Sequence, residues 1–259
     1  MSAIIVNRTH RSIAVITINR PERRNALDGH AWRDLGEAFS AVSSDVDLRA
    51  IILTGAGGHF CAGDDIVAFS KVRDDEPHRA QYWNWIMACY AAIANAPVPV
   101  IAAINGACVG GGCTLALRSD FRIAHASARF GIPPAKLGLV YPEASTRLLA
   151  AIVGITMAKR LLYTGDIIDA REAQACGLAS TLVDGDVVDA AIDFAQPILA
   201  NAPIALAATK LLCDAISEDR VDNVRAQFEA LFRRADASED SREGARAFAE
   251  KRRPNFTGR

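Results

Sequence analysis

Apolar residues recur along the first half of the chain in two alternating rhythms. Short β-branched runs at 13–18 (IAVITI), 49–53 (RAIIL), 98–104 (VPVIAAI) and 121–124 read as strands. Between the first two, Leu27, Ala31, Leu35, Ala38, Phe39 and Val42 keep the spacing of one helix face. Turn residues close the strands. Asn19-Arg20-Pro21 ends the first, because proline cannot continue a ladder. Thr54-Gly55-Ala56-Gly57-Gly58 ends the second, and Asn105-Gly106 the third. Gly110-Gly111-Gly112 then opens a helix through Leu115 and Leu117. Strand, glycine turn, helix and strand make the rhythm of an α/β domain with parallel strands.

Beyond residue 140 the pattern becomes helical. Helices are predicted at 145–153, 156–163 and 170–176, the last with Asp169 as N-cap and Glu172 at the capping-box position. A last strand fits 180–183, followed by helices at 187–199, 204–216, 221–234 and 241–252. The expected division is a domain over 1–200 and a helical segment over 201–259. About 60 residues of helix have little core of their own, so the segment packs on the α/β part or on another subunit.

Composition narrows the class without naming it. The chain has 259 residues and is 51% apolar, ample for a well-buried core. Its 29 basic and 30 acidic residues are nearly balanced and mostly scattered, which argues against binding driven by phosphate neutralisation. No run of 18 apolar residues exists. Asn7, Arg8, His10 and Arg11 interrupt any N-terminal signal core. Six dispersed cysteines without a C-x-x-C pair point to reduced thiols, and a cytoplasmic location is expected. The histidines show no ligand spacing. Neither nucleotide-binding glycine motifs nor a G-x-S-x-G elbow is found.

Two constellations are placed to carry chemistry. Phe60-Cys61-Ala62-Gly63-Asp64-Asp65-Ile66 follows the second strand, and Asn105 to Cys113 follows the third. Each puts small residues where a strand meets a turn or helix, letting backbone N–H groups approach a ligand. A helix N-terminus adds unpaired donors, and two donors converging on one point form an oxyanion hole. Tight strand–helix packing explains either cluster alone equally well.

With the segments around them, these clusters resemble the crotonase superfamily, the enoyl-CoA hydratase/isomerase family. The resemblance runs from Asn19-Arg20-Pro21 and Asn25-Ala26-Leu27 through both clusters, Ser119-Asp120, Phe130-Gly131 and Lys136-Leu137-Gly138-Leu139. It continues through Thr164-Gly165, Ala173 and Gly177-Leu178 to Ala247-Phe248-Ala249-Glu250-Lys251-Arg252. No segment is decisive alone; their order and spacing are highly specific. The resemblance implies a crotonase-type ββα spiral domain (1–200) and a C-terminal helical segment (201–259) used in packing and trimerisation. It also implies a homotrimer or hexamer. The implied substrate is an acyl-CoA thioester, with coenzyme A as part of the substrate and no permanently bound cofactor or metal. No nucleic-acid or membrane partner is implied. The N–H groups of Asp64 and Gly111 would hold the enolate oxygen. Ala62 and Ile66 would flank the adenine, Arg23, Arg24 and Ala26 form another coenzyme A contact region, and Phe248 and Lys251 touch coenzyme A from the helical tail.

The chain departs from the family pattern at the catalytic carboxylates. The two glutamates that position water in the hydratases fall on Thr114 and Pro134. Proline has no proton to exchange, and threonine has no useful acid/base pKa near neutrality. Glu143 is the carboxylate left nearby, one residue off the place where some isomerases of the family carry theirs. It is either that acid/base or a first-turn acid favoured by the helix dipole. The Asp64 side chain and Tyr141 are further candidates, and Asp120 is read as structural. Double-bond isomerisation through Glu143 is therefore the expected reaction. Hydration with an altered catalytic set and acyl-CoA binding without turnover are the alternatives.

Overall fold

The structure is a computed structural model that describes residues 2–9 and 12–259. The N-terminal elements are β1 (Ile4–Thr9), β2 (Ile13–Ile18), α1 (Gly29–Ser43), β3 (Ala50–Gly55), α2 (Ile66–Ser70) and α3 (Glu76–Ala94). The middle of the chain forms β4 (Val100–Ile104), β5 (Ala107–Val109), α4 (Gly111–Arg118), β6 (Phe121–His125) and β7 (Arg129–Gly131). Then follow α5 (Glu143–Thr164), β8 (Ile167–Asp169), α6 (Ala170–Ala175), β9 (Thr181–Val183) and α7 (Val187–Leu199). The tail is α8 (Pro203–Ser217), α9 (Val221–Asp236) and α10 (Glu239–Ala249).

The main sheet has the order β1-β2-β3-β4-β6-β9, with β1 antiparallel to β2 and the remaining pairs parallel. Its central strands are apolar at nearly every position because both faces are covered. Val15, Ile52, Ile101 and Ile123 face Val187, Ala191 and Ala195 of α7. Ile16, Ile51, Leu53 and Ile104 face the core built with α1 and α3. A small sheet, β5-β7-β8, sits beside it. The fold is mixed α/β with a C-terminal helical segment, as the chain's pattern predicts.

Helices α1 and α3 form the wall behind the site. Asp28 caps α1 by accepting from the Ala31 N–H at 2.9 Å. Its buried stripe includes Ala31, Trp32, Leu35, Phe39 and Val42, close to the stripe read from spacing. At Gly36 a Cβ would stand 3.1 Å from the Cys89 Cα, so the two helices meet backbone to backbone.

One detail bears out the pattern-based reading and two differ from it. The helices expected at 145–153 and 156–163 are the two parts of α5, which meet at a kink where Gly154 has φ 76° and ψ 155°. That conformation suits glycine, and the polypeptide resumes its helix directly afterwards. Edge strand β1 escaped detection because only Ile4 of its six residues is buried. Strands β5, β7 and β8 are three residues each, too short to show a period. Asp120 is structural, as expected, and its partner lies far along the chain. It accepts from the Val100 N–H at 2.7 Å and pairs with Lys210 of α8 at 2.7 Å, tying the helical tail to the sheet.

Candidate active site

The two small-residue segments lie side by side. The Val109 N–H donates to the Cys61 carbonyl and the Cys61 N–H to the Ala107 carbonyl, both at 2.9 Å. His59 belongs to this framework, its Nδ1 accepting from the Ala107 N–H at 3.1 Å. Gly63, at φ +92°, allows the closest approach. A Cβ there would fall 2.7 Å from the Val109 carbonyl oxygen and 2.8 Å from the Gly111 nitrogen. The next N–H, that of Asp64, and the Gly111 N–H at the start of α4 have no backbone acceptor among the described residues. Two unpaired donors are thus held at the same place by glycine packing, the arrangement an oxyanion hole requires.

These donors open on a cavity of about 270 Å³. Its lining is largely apolar, including Phe69, Trp83, Ile86, Ile132, Leu139 and Val140. Asp64 supplies the one carboxyl among the described lining residues. Its Oδ1 accepts from the Trp32 Nε1–H at 3.0 Å. Its Oδ2 would lie 3.2 Å from a Cβ on Gly111. Burial pushes the Asp64 carboxyl up to about 6, against the Trp32 hydrogen bond that favours the ionised form. Thr114 Oγ1 and the Tyr141 hydroxyl, also in the lining, lie 2.6 Å apart. Burial pushes both Tyr141 and Tyr90 above the usual phenol range.

Of the residues singled out from sequence, Asp64, Gly111, Ala62 and Ile66 line this cavity together with Thr114 and Pro134. Arg23, Arg24 and Ala26 form the adjoining turn, whose Arg24 carbonyl accepts from the Ala62 N–H at 3.0 Å. Arg23 is half exposed and pairs at 2.6 Å with Asp65, which caps α2. Phe248 is 87% exposed and Lys251 is also exposed; neither lines the cavity of its own chain.

Glu143 requires a correction. Its side chain is 82% exposed, does not line the cavity and pairs with Arg147 one turn along α5 at 3.1 Å. Tyr141 and Pro142 occupy the cavity wall instead, and Glu143 begins the helix beyond them, in its first turn. The dipole-favoured position is the one it takes. Glu143→Gln is therefore expected to keep kcat and KM within about twofold of wild type, since exposed pairs contribute little. A steady-state assay that finds a larger loss would return Glu143 to the reaction.

Trp32 had no signal in the sequence and lies outside the helical stripe read from spacing. It is 0% exposed and touches both donor segments.

Comparison with known proteins fits this geometry. Residues 8–259 match the family model for enoyl-CoA hydratase/isomerase. Mouse mitochondrial methylglutaconyl-CoA hydratase is 34% identical over 255 residues, covering 96% of this chain and 81% of that protein. The 2,3-dehydroadipyl-CoA hydratase of Escherichia coli K12 is 33% identical, with all of both chains covered. The crystal structure of an enoyl-CoA hydratase from Bacillus anthracis superposes with a TM-score of 0.90 at 32% identity, again covering all of both chains. The chain belongs to the enoyl-CoA hydratase/isomerase family, the crotonase superfamily, whose members act on acyl-CoA thioesters.

Proposed function

We propose that this chain is an enoyl-CoA isomerase that works through a thioester enolate, with Asp64 as its single acid/base. The observation that carries the reading is the Asp64 carboxyl: it lines the cavity beside Gly111, and burial raises it to about 6. A group near the working pH both accepts and returns a proton effectively.

A 3-enoyl-CoA places its thioester oxygen between the N–H groups of Asp64 and Gly111. The Asp64 carboxylate takes the C2 proton while charge builds on that oxygen. It then returns the proton at C4, and the double bond moves to C2–C3. The pocket holds one negative charge throughout, because charge leaves the carboxyl as it arrives on the enolate. This removes the repulsion that an ionised carboxylate beside an oxyanion would otherwise create.

The acyl group is uncharged in this reading. No lysine, arginine or histidine occurs among the described lining residues, so a second carboxylate would be buried unpaired. Phe248 and Lys251 serve a neighbouring copy, in a trimer or hexamer.

Hydration is the second reading. The mouse and Escherichia coli relatives are named hydratases, and the Thr114–Tyr141 hydroxyl pair can hold a water. Purified protein given a 3-enoyl-CoA and, separately, a 2-enoyl-CoA decides between them. The isomerase reading expects the double-bond shift to be the faster conversion, with C2 exchange in D₂O. Rapid 3-hydroxyacyl-CoA formation without a shift would establish hydration. Tight acyl-CoA binding with neither conversion would leave a binding protein.

A further inference from the structure

We infer that Trp32 is the positioning residue of this site, holding Asp64 Oδ1 through its indole N–H so that Oδ2 is the oxygen presented to the substrate. The inference rests on the reading of Asp64 as acid/base.

Three contacts carry it. The indole Nε1–H donates to Asp64 Oδ1 at 3.0 Å. The same indole packs under the second donor, its Cζ2 lying 2.9 Å from where a Gly111 Cβ would be. Its ring meets Tyr90 edge-on, with centroids 5.5 Å apart. Trp32 is wholly buried in the α1–α3 interface, so it has no freedom to follow the carboxyl if that turns. An indole N–H donates only, so it fixes one carboxyl oxygen as acceptor. The remaining oxygen, Oδ2, is the one beside Gly111.

The groups facing Asp64 keep this arrangement simple. Tyr82 and Tyr90 approach from α3, and Cys61 from the preceding segment. Burial raises all three above their ordinary values, so they remain neutral across the working range. The nearby cations are engaged elsewhere, Arg20 with Asp28 at 2.7 Å and Arg23 with Asp65 at 2.6 Å. A hydrogen bond to the ionised carboxyl favours that form, so its loss raises the carboxyl further.

The test is Trp32→Phe, which removes the donor and keeps an aromatic ring. The limb of the kcat/KM profile that reports Asp64 is expected to move up by about one pH unit. At neutral pH kcat falls roughly tenfold, because a buried general base must be within hydrogen-bond reach of its proton. KM changes little, since the thioester donors are backbone groups. A merely structural tryptophan would lower Tm and leave that limb in place, and this result would overturn the inference.

A second measurement uses the unaltered fold. The indole N–H resonance of Trp32, assigned by comparison with Trp83→Phe and Trp85→Phe, should shift with a midpoint matching the activity limb. It should stop titrating in Asp64→Asn. A flat resonance in the wild type between about pH 4.5 and 8, where a carboxyl raised by burial titrates, would also overturn the inference. Full turnover in Asp64→Asn would instead overturn the proposed role of Asp64, and the indole titration would still report whether the two side chains are coupled.

Discussion

Asp64→Asn keeps acyl-CoA binding and loses turnover, with kcat expected to fall roughly 10²–10⁴-fold, the range general acid–base catalysis supplies. Binding survives because both thioester donors are peptide N–H groups and asparagine nearly matches aspartate in size. Titration with a saturated acyl-CoA, which cannot react, would read the binding separately. The same variant should be more stable at neutral pH. Asp64 titrates at about 6 in the fold and about 4 in the unfolded chain. Its ionised form therefore opposes folding fully above the folded value. The penalty shrinks as pH falls between the two values and vanishes below the lower one. Thermal unfolding should show a higher Tm for the variant at pH 7.5 and little of that gain at pH 4. An inactive but stabilised protein cannot be dismissed as misfolded. Turnover within tenfold of wild type would remove Asp64 from the chemistry.

Gly63→Ala should strike the other half of the site. The added methyl would meet the Val109 carbonyl oxygen at 2.7 Å and the Gly111 nitrogen at 2.8 Å, so the two donor segments must part. Loss of one well-placed donor costs roughly 10²–10³ in kcat. Part of any effect is backbone strain, because Gly63 has φ +92°. Gly58→Ala provides the comparison: its φ is +80° and its Cβ would meet nothing within 4 Å. That variant should lose about 1–2 kcal/mol of stability and keep its kcat. If Gly63→Ala behaves likewise, the donors lie elsewhere.

The scaffold was largely legible because its signals are local. Strands β2, β3 and β4 are largely apolar on both faces, and α1 and α7 keep a helical stripe. The two donor segments showed themselves through small residues at strand ends, since close backbone approach demands them. What stayed hidden depends on contacts across the chain. Trp32 and Asp64 are 32 residues apart, and no spacing rule links an indole to a carboxyl. Thr114 and Tyr141 meet only because α4 and the turn before α5 share a wall of one cavity. Glu143 shows the opposite failure. Its neighbourhood in sequence suggested the cavity, but side chains around a helix start diverge, and one residue decides between inside and outside. The break at Gly154 was legible too, since the helices on either side of it each carry their own pattern.

The cysteines of this chain differ sharply in their access to solvent. Cys61, Cys89, Cys108 and Cys113 are buried, and burial pushes the Cys61 thiol up to about 12. Alkylating reagents need the thiolate and a path to it, so these positions are inert in the folded protein. Cys213 on α8 is exposed. A maleimide dye would accordingly settle first on the helical tail, leaving the donor segments untouched. Cys176 is only partly exposed, so replacing that one residue would leave Cys213 as the single accessible attachment point for a fluorophore.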